Sequence, residues 1–103
     1  MKVDSRTGLS ERVTDLLRAE LHRFPEVRAA YLYGSRARGD YSPQSDIDIA
    51  IAIDAPDMTP QSFAQLWSVI DALPIAYPLD CIWLQAFPES PLKVQVERDG
   101  VVL

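Results

Sequence analysis

The stretch Leu32–Ile53, LYGSRARGDYSPQSDIDIAIAI, leaves this chain few ways to fold. An apolar strand runs into Gly34-Ser35, a polar loop of ten residues follows, and a second apolar strand opens with Asp46-Ile47-Asp48. In the second strand Ile47, Ile49, Ile51 and Ile53 share one face, while Asp46, Asp48, Ala50 and Ala52 share the other. Four isoleucines on one face need a covering layer, so the strand belongs in a sheet packed by helices. The two carboxylates then stand at its beginning, beside a tight turn rich in donors.

A chain of 103 residues has room for one modest core, and one domain spanning residues 1–103 is expected. With 48% hydrophobic and 24% charged residues it reads as an ordinary soluble globular protein. No apolar run approaches the roughly 20 residues of a membrane span, and MKVDSRTGLSERV lacks the apolar segment of a secretory signal. Cys81 is the single cysteine, which excludes an intrachain disulfide and points to a reducing, cytoplasmic setting. A net charge of −5 argues against stable nucleic-acid binding, which depends on clustered Lys and Arg. A nucleotide is still compatible, because Mg²⁺ can mask local carboxylates.

Along the chain, Leu9, Val13, Leu16, Leu17, Leu21 and Phe24 predict an amphipathic helix within Thr7–Phe24, with Ser10 as N-cap and Pro25 at its end. Val27–Tyr33 reads as a strand stopped by Gly34. Arg36–Ser45 is loop chemistry after one short helical turn, and Asp46–Ile53 is the cleanest strand. After a loop at Asp54–Asp57, Thr59-Pro60 opens a second helix carrying Phe63, Leu66, Trp67, Ile70 and Leu73, closed by Pro74. Ile75–Leu84 is a third strand whose start, at Pro78, lies at an edge or bulge. For residues 90–98 two readings stand: a helix from Ser90-Pro91 to Gly100, or a hairpin turning at Asp99-Gly100. A short helix followed by a terminal strand is the one adopted. The fold class is α/β (α+β), a mixed sheet flanked by helices.

Side chains two apart on a strand project from one face, so Asp46 and Asp48 stand roughly 6–7 Å apart at Cα. Such a pair can share a Mg²⁺, which takes oxygen ligands and keeps waters and substrate phosphates. Gly34 permits close approach of a ligand, and the exposed amides of a turn starting at Ser35 favour an anion. Arg36 and Arg38 are candidate phosphate clamps in the same loop. Asp80 is the one carboxylate inside the third strand, where a charge is costly unless paired or metal-bound. If the third strand neighbours the second, Asp80 reaches the same cation. Two metals would then serve in-line displacement, one on the attacking hydroxyl and one on the leaving pyrophosphate.

Gly-Ser, ten residues, then Asp-x-Asp in an apolar strand resembles the signature of the nucleotidyltransferase superfamily typified by DNA polymerase beta. The wording GSRARGDY…SDIDIAI resembles its minimal nucleotidyltransferase (MNT) branch. The resemblance implies that Asp46, Asp48 and Asp80 are the catalytic metal triad, with Asp80 assisting removal of the acceptor proton. It implies that Gly34 and Ser35 hold phosphate and that ATP is the substrate. Members transfer a nucleoside monophosphate, usually AMP, to a hydroxyl. MNT proteins resembling this one pair with small helical HEPN proteins as antitoxins, in known cases adding AMP to a tyrosine of the HEPN ribonuclease.

Each residue also has a plainer role. A lone Asp-x-Asp recurs by chance in a chain with ten Asp, so the coupling to Gly-Ser carries the argument. Asp80 could pair with an arginine such as Arg28, and loop arginines are usually just solvated. Ser45 is read as ordering its loop, His22 as solvent-facing, and Trp67 and Trp83 as core. Tyr41 is a loop aromatic, an adenine platform or an interface residue. Two other functions compete with protein modification. One is a non-catalytic module that neutralises a helical toxin by occlusion, its acidic surface capping a basic groove. The other is transfer to a small molecule, as in aminoglycoside nucleotidyltransferases, which carry an extra helical domain. A chain of this size needs its acceptor surface from elsewhere, which points to an obligate partner or a homodimer with an exposed apolar patch.

Overall fold

A computed structural model describes residues 3–53, 55–86 and 90–103. Every helix longer than one turn begins where a hydroxyl side chain can accept from an exposed amide. Ser10 accepts from the Val13 amide and opens α1 (Glu11–Leu21). Thr59 accepts from the Ser62 amide and opens α3 (Pro60–Asp71), and Ser90 does the same for Lys93 at the start of α4 (Pro91–Asp99). In α3 and α4 proline follows the cap, where its missing N–H costs nothing. Thr59→Ala is expected to cost about 1 kcal/mol in urea unfolding, the usual loss of a capping oxygen.

The remaining elements are β1 (Val27–Tyr33), a four-residue helix α2 (Ser35–Arg38), β2 (Ile47–Ile53), β3 (Leu79–Trp83), a 3₁₀ turn at Leu84–Ala86, and β4 (Val101–Val102). The sheet runs β3-β2-β1-β4. β1 pairs antiparallel with β2 and β4, whereas β2 and β3 are parallel. It is therefore the mixed sheet flanked by helices that the sequence predicts.

The isoleucines of β2 are all buried and join Leu17 and Leu21 of α1 and Leu66 and Ile70 of α3 in the main core. On the opposite face Tyr33 and Ala50 pack against Val96 of α4, with Tyr31, Ile82, Leu84 and Leu92 around them. That second layer follows from the tail being a helix. Gly100 then turns the chain, its amide donating to the Val96 carbonyl, and β4 closes the sheet edge beside β1.

Three boundaries differ from the expected ones. The first helix starts at Glu11, directly after its expected cap Ser10, but ends at Leu21 with His22 as its C-cap, short of Phe24 and Pro25. The third strand is Leu79–Trp83, shorter than Ile75–Leu84. Pro78 lacks an amide for the ladder, although its carbonyl accepts from the Ile47 amide at 2.9 Å. At the other end the Gln85 side chain accepts from the Ile53 amide at 3.1 Å and caps the pairing. The loop expected at Asp54–Asp57 lies outside the described residues at Asp54. Among the described residues no helix is long and apolar enough to cross a membrane.

Candidate nucleotidyl-transfer site

The register of the sheet lines up one row of side chains. Tyr33 of β1 pairs with Asp48 of β2, and Asp48 pairs with Asp80 of β3. Directly opposed residues share a face and neighbouring strands lie about 4.8 Å apart, so these three side chains leave the sheet together. Asp46 stands one residue before β2 on the same parity as Asp48. The row ends on the face that α4 covers only further along the strands, so Asp46 and Asp80 are exposed and Asp48 is half-buried.

Gly34 bends β1 into α2 with φ +75° and ψ −152°, a conformation essentially confined to glycine. A Cβ at Gly34 would collide with Oδ2 of Asp48. The Asp48 carboxylate thus lies directly against the turn. Among the described residues, the amides of Ser35 and Arg36 donate to no protein acceptor, while those of Ala37 and Arg38 bond the Gly34 carbonyl. Two free donors therefore open the turn next to a carboxylate.

The electrostatics agree with that crowding. Burial holds the Asp48 pKa above its ordinary value, Asp80 and then Asp46 push it further, and Arg38 pulls it back. Tyr33 is pushed up to about 12 by burial and by Asp48 and Asp80, so its phenol stays neutral. Burial and Asp80 also raise the Cys81 thiol. None of the three acids forms an ion pair among the described residues, Asp80 and Arg28 included. A half-buried carboxylate crowded by two others, none of the three ion-paired among the described residues, suits a divalent cation by charge and by ligand type. Among the described residues no three His, Cys, Asp or Glu side chains are drawn together tightly enough to enclose a metal.

The two arginines part company. Arg38 is exposed, its Nε donates to Asp40 at 3.2 Å, and its charge acts on Asp48. Arg36, paired with it above as a phosphate clamp, is 1% exposed and turned inward. Its guanidinium donates to the carbonyls of Ser45, Thr7 and Pro43, and its Cζ lies over the rings of Tyr41 and Tyr77. Three of its five N–H groups are engaged in this way, and burial turns the side chain away from the surface that a ligand would reach. The Tyr41 ring lies beside Arg36, and its hydroxyl donates to the Ser5 carbonyl at 3.3 Å. Ser45 orders its loop, accepting from the Ser42 amide at 2.8 Å.

Sequence reasoning did not single out Tyr33 or Tyr77. Tyr33 was within reach of it: a residue just before Gly34, in a strand antiparallel to β2, falls opposite the start of β2. Tyr77 carries no such signal, because its contact with Arg36 spans segments far apart in sequence.

No curated protein matches the chain significantly. Among solved structures, a protein of Sulfolobus solfataricus described as a candidate nucleotidyltransferase superposes with a TM-score of 0.61 at 26% identity, over 88% of this chain and 76% of that one. A toxin–antitoxin structure with AMP-PNP gives 0.56 at 26% identity, over 88% and 68%. A variant of the toxin–antitoxin MntA-HpeT gives 0.55 at 26% identity, over 89% and 68%. The profile of the family described as "Polymerase beta, Nucleotidyltransferase" matches residues 16–103. The chain belongs to the polymerase beta nucleotidyltransferase family.

Proposed function

We propose that residues 1–103 form one catalytic domain that transfers AMP from ATP to a hydroxyl of a partner protein. The partner we propose is a helical HEPN-type toxin, with this chain as its antitoxin. The observation that carries the reading is the Asp48 carboxylate lying against Gly34 with Asp80 in register beside it. The similarity to toxin–antitoxin structures, one of them with AMP-PNP, supports the pairing and the nucleotide.

In this reading the free amides of Ser35 and Arg36, with Gly34 leaving room for close approach, hold the triphosphate, and Arg38 lends charge from the loop. Asp46, Asp48 and Asp80 would hold Mg²⁺, and a two-metal site suits the three acids. Bound Mg²⁺ supplies a Lewis acid for the phosphate oxygens and lowers the pKa of the acceptor hydroxyl. The acceptor oxygen forms a bond to the α-phosphorus as the bond to the bridging oxygen breaks, releasing pyrophosphate. Asp80, exposed at the edge strand, would receive the acceptor proton.

Incubating the chain with labelled ATP, Mg²⁺ and the product of the adjacent open reading frame is expected to label that product. Absence of label, with the toxin still neutralised, would instead identify occlusion as the mode of action.

A further inference from the structure

Arg36 poses a physical question. A buried guanidinium is costly unless its donors are used and its charge is compensated. This one is 1% exposed and has no carboxylate among its partners. Three carbonyls take three of its five donors: Nη1 donates to Thr7 at 2.8 Å, Nε to Ser45 at 3.2 Å and Nη2 to Pro43 at 3.4 Å. Its Cζ lies over two aromatic rings, 4.6 Å from the centroid of Tyr77 and 5.1 Å from that of Tyr41.

What matters is where those partners lead. Ser45 directly precedes Asp46. Tyr77 lies on the approach to β3, and the next residue, Pro78, accepts from the Ile47 amide between Asp46 and Asp48. Thr7 belongs to the N-terminal segment, which also grips the loop through Arg6 Nε on the Ala37 carbonyl and Tyr41 on Ser5. One planar cation therefore ties the lead-in of β2, the lead-in of β3 and the N-terminal segment to the turn that begins at Gly34. Its links to these segments run through backbone carbonyls and aromatic rings, not through a carboxylate.

We propose that Arg36 is a positioning residue of the candidate site, its guanidinium fork setting the spacing between Asp46 and Asp80. The inference rests on the nucleotidyl-transfer reading above. Lysine keeps the charge but offers neither the planar fork nor a flat face to lie over the rings. Groups that hold ligands in place typically change metal affinity about 10–100-fold when replaced.

The test is a Mg²⁺ titration of the thermal stabilisation by ATP, on wild type and Arg36→Lys. The variant is expected to melt cooperatively at a lower temperature and to need about 10–100-fold more Mg²⁺ for half of the ATP-dependent shift. An unchanged Mg²⁺ requirement beside a lowered melting point would overturn the proposal, leaving Arg36 a support of the fold alone. Should Arg36→Lys not fold, Tyr77→Leu serves. It leaves the three carbonyl bonds and loosens only the β3 end, and it too must raise the Mg²⁺ requirement or the proposal falls. A wild type with no response to Mg²⁺ and ATP removes the functional reading itself, and the inference with it. The wild-type curve alone tells that case from the others.

Discussion

Asp48→Asn is expected to abolish nucleotidyl transfer and, in the same protein, to raise the melting temperature measured without metal. The loss of activity should be about a thousandfold or more, since several kcal/mol of charge stabilisation at the phosphates go with this ligand. The gain in stability follows from the carboxylate's surroundings. Burial and the neighbouring Asp80 and Asp46 hold its pKa above 3.8, its ordinary value. Between that value and the raised one the native state binds the proton more readily than the unfolded chain, so stability falls as pH rises through the window. Wild type without metal should therefore gain stability on mild acidification, a component that Asp48→Asn lacks. Adding Mg²⁺ with ATP should reverse the order, stabilising wild type and leaving the variant unmoved. Identical metal-free pH profiles for the two proteins would show that no such crowding exists.

Gly34→Ala should be nearly as damaging to activity, for a different reason. The backbone at φ +75° and ψ −152° strains any other residue by about 1–3 kcal/mol. The added methyl also meets Asp48 Oδ2. A short side chain can yield only by rotating, which takes its oxygen away from the turn. Urea unfolding should thus report mostly the backbone strain, while transfer falls almost as far as in Asp48→Asn. The pair should be non-additive. With Asp48→Ala already present, Gly34→Ala should cost less by a coupling of about 0.5–3 kcal/mol. Full additivity in stability and in activity would mean that the turn and the carboxylate act separately.

Much of this architecture is written locally. The strand Val27–Tyr33 has the predicted limits, because its β-branched and aromatic run is bounded by Glu26 and Gly34. The starts of the three longer helices follow from Ser10, Thr59 and Ser90, whose hydroxyls satisfy amides within three residues. The tail is harder, since Leu92, Val94 and Val96 fit either period. What decides it is Val96 finding Tyr33 and Ala50 under the sheet, a burial that no window of neighbouring residues contains.

The arginines show the boundary most sharply. Arg36 and Arg38 look alike in the string GSRARG, two residues apart in one loop. On a helical turn two residues differ by about 200°, so one must face inward where the other faces out. Which way each faces is set by Tyr41, Tyr77 and three carbonyls drawn from distant segments.

The sequence by itself determined the elements, the α/β class and the pairing of a glycine turn with carboxylates at a strand's start, because short-range sterics, capping and periodicity are all encoded within a few residues. Only the tertiary structure decided that β2 and β3 are parallel and in register at Asp48 and Asp80, that Asp48 rests on Gly34, and that Arg36 is a buried tie. Those outcomes depend on contacts between segments tens of residues apart, where the gain from packing and satisfied donors chooses among arrangements that local preferences leave equal.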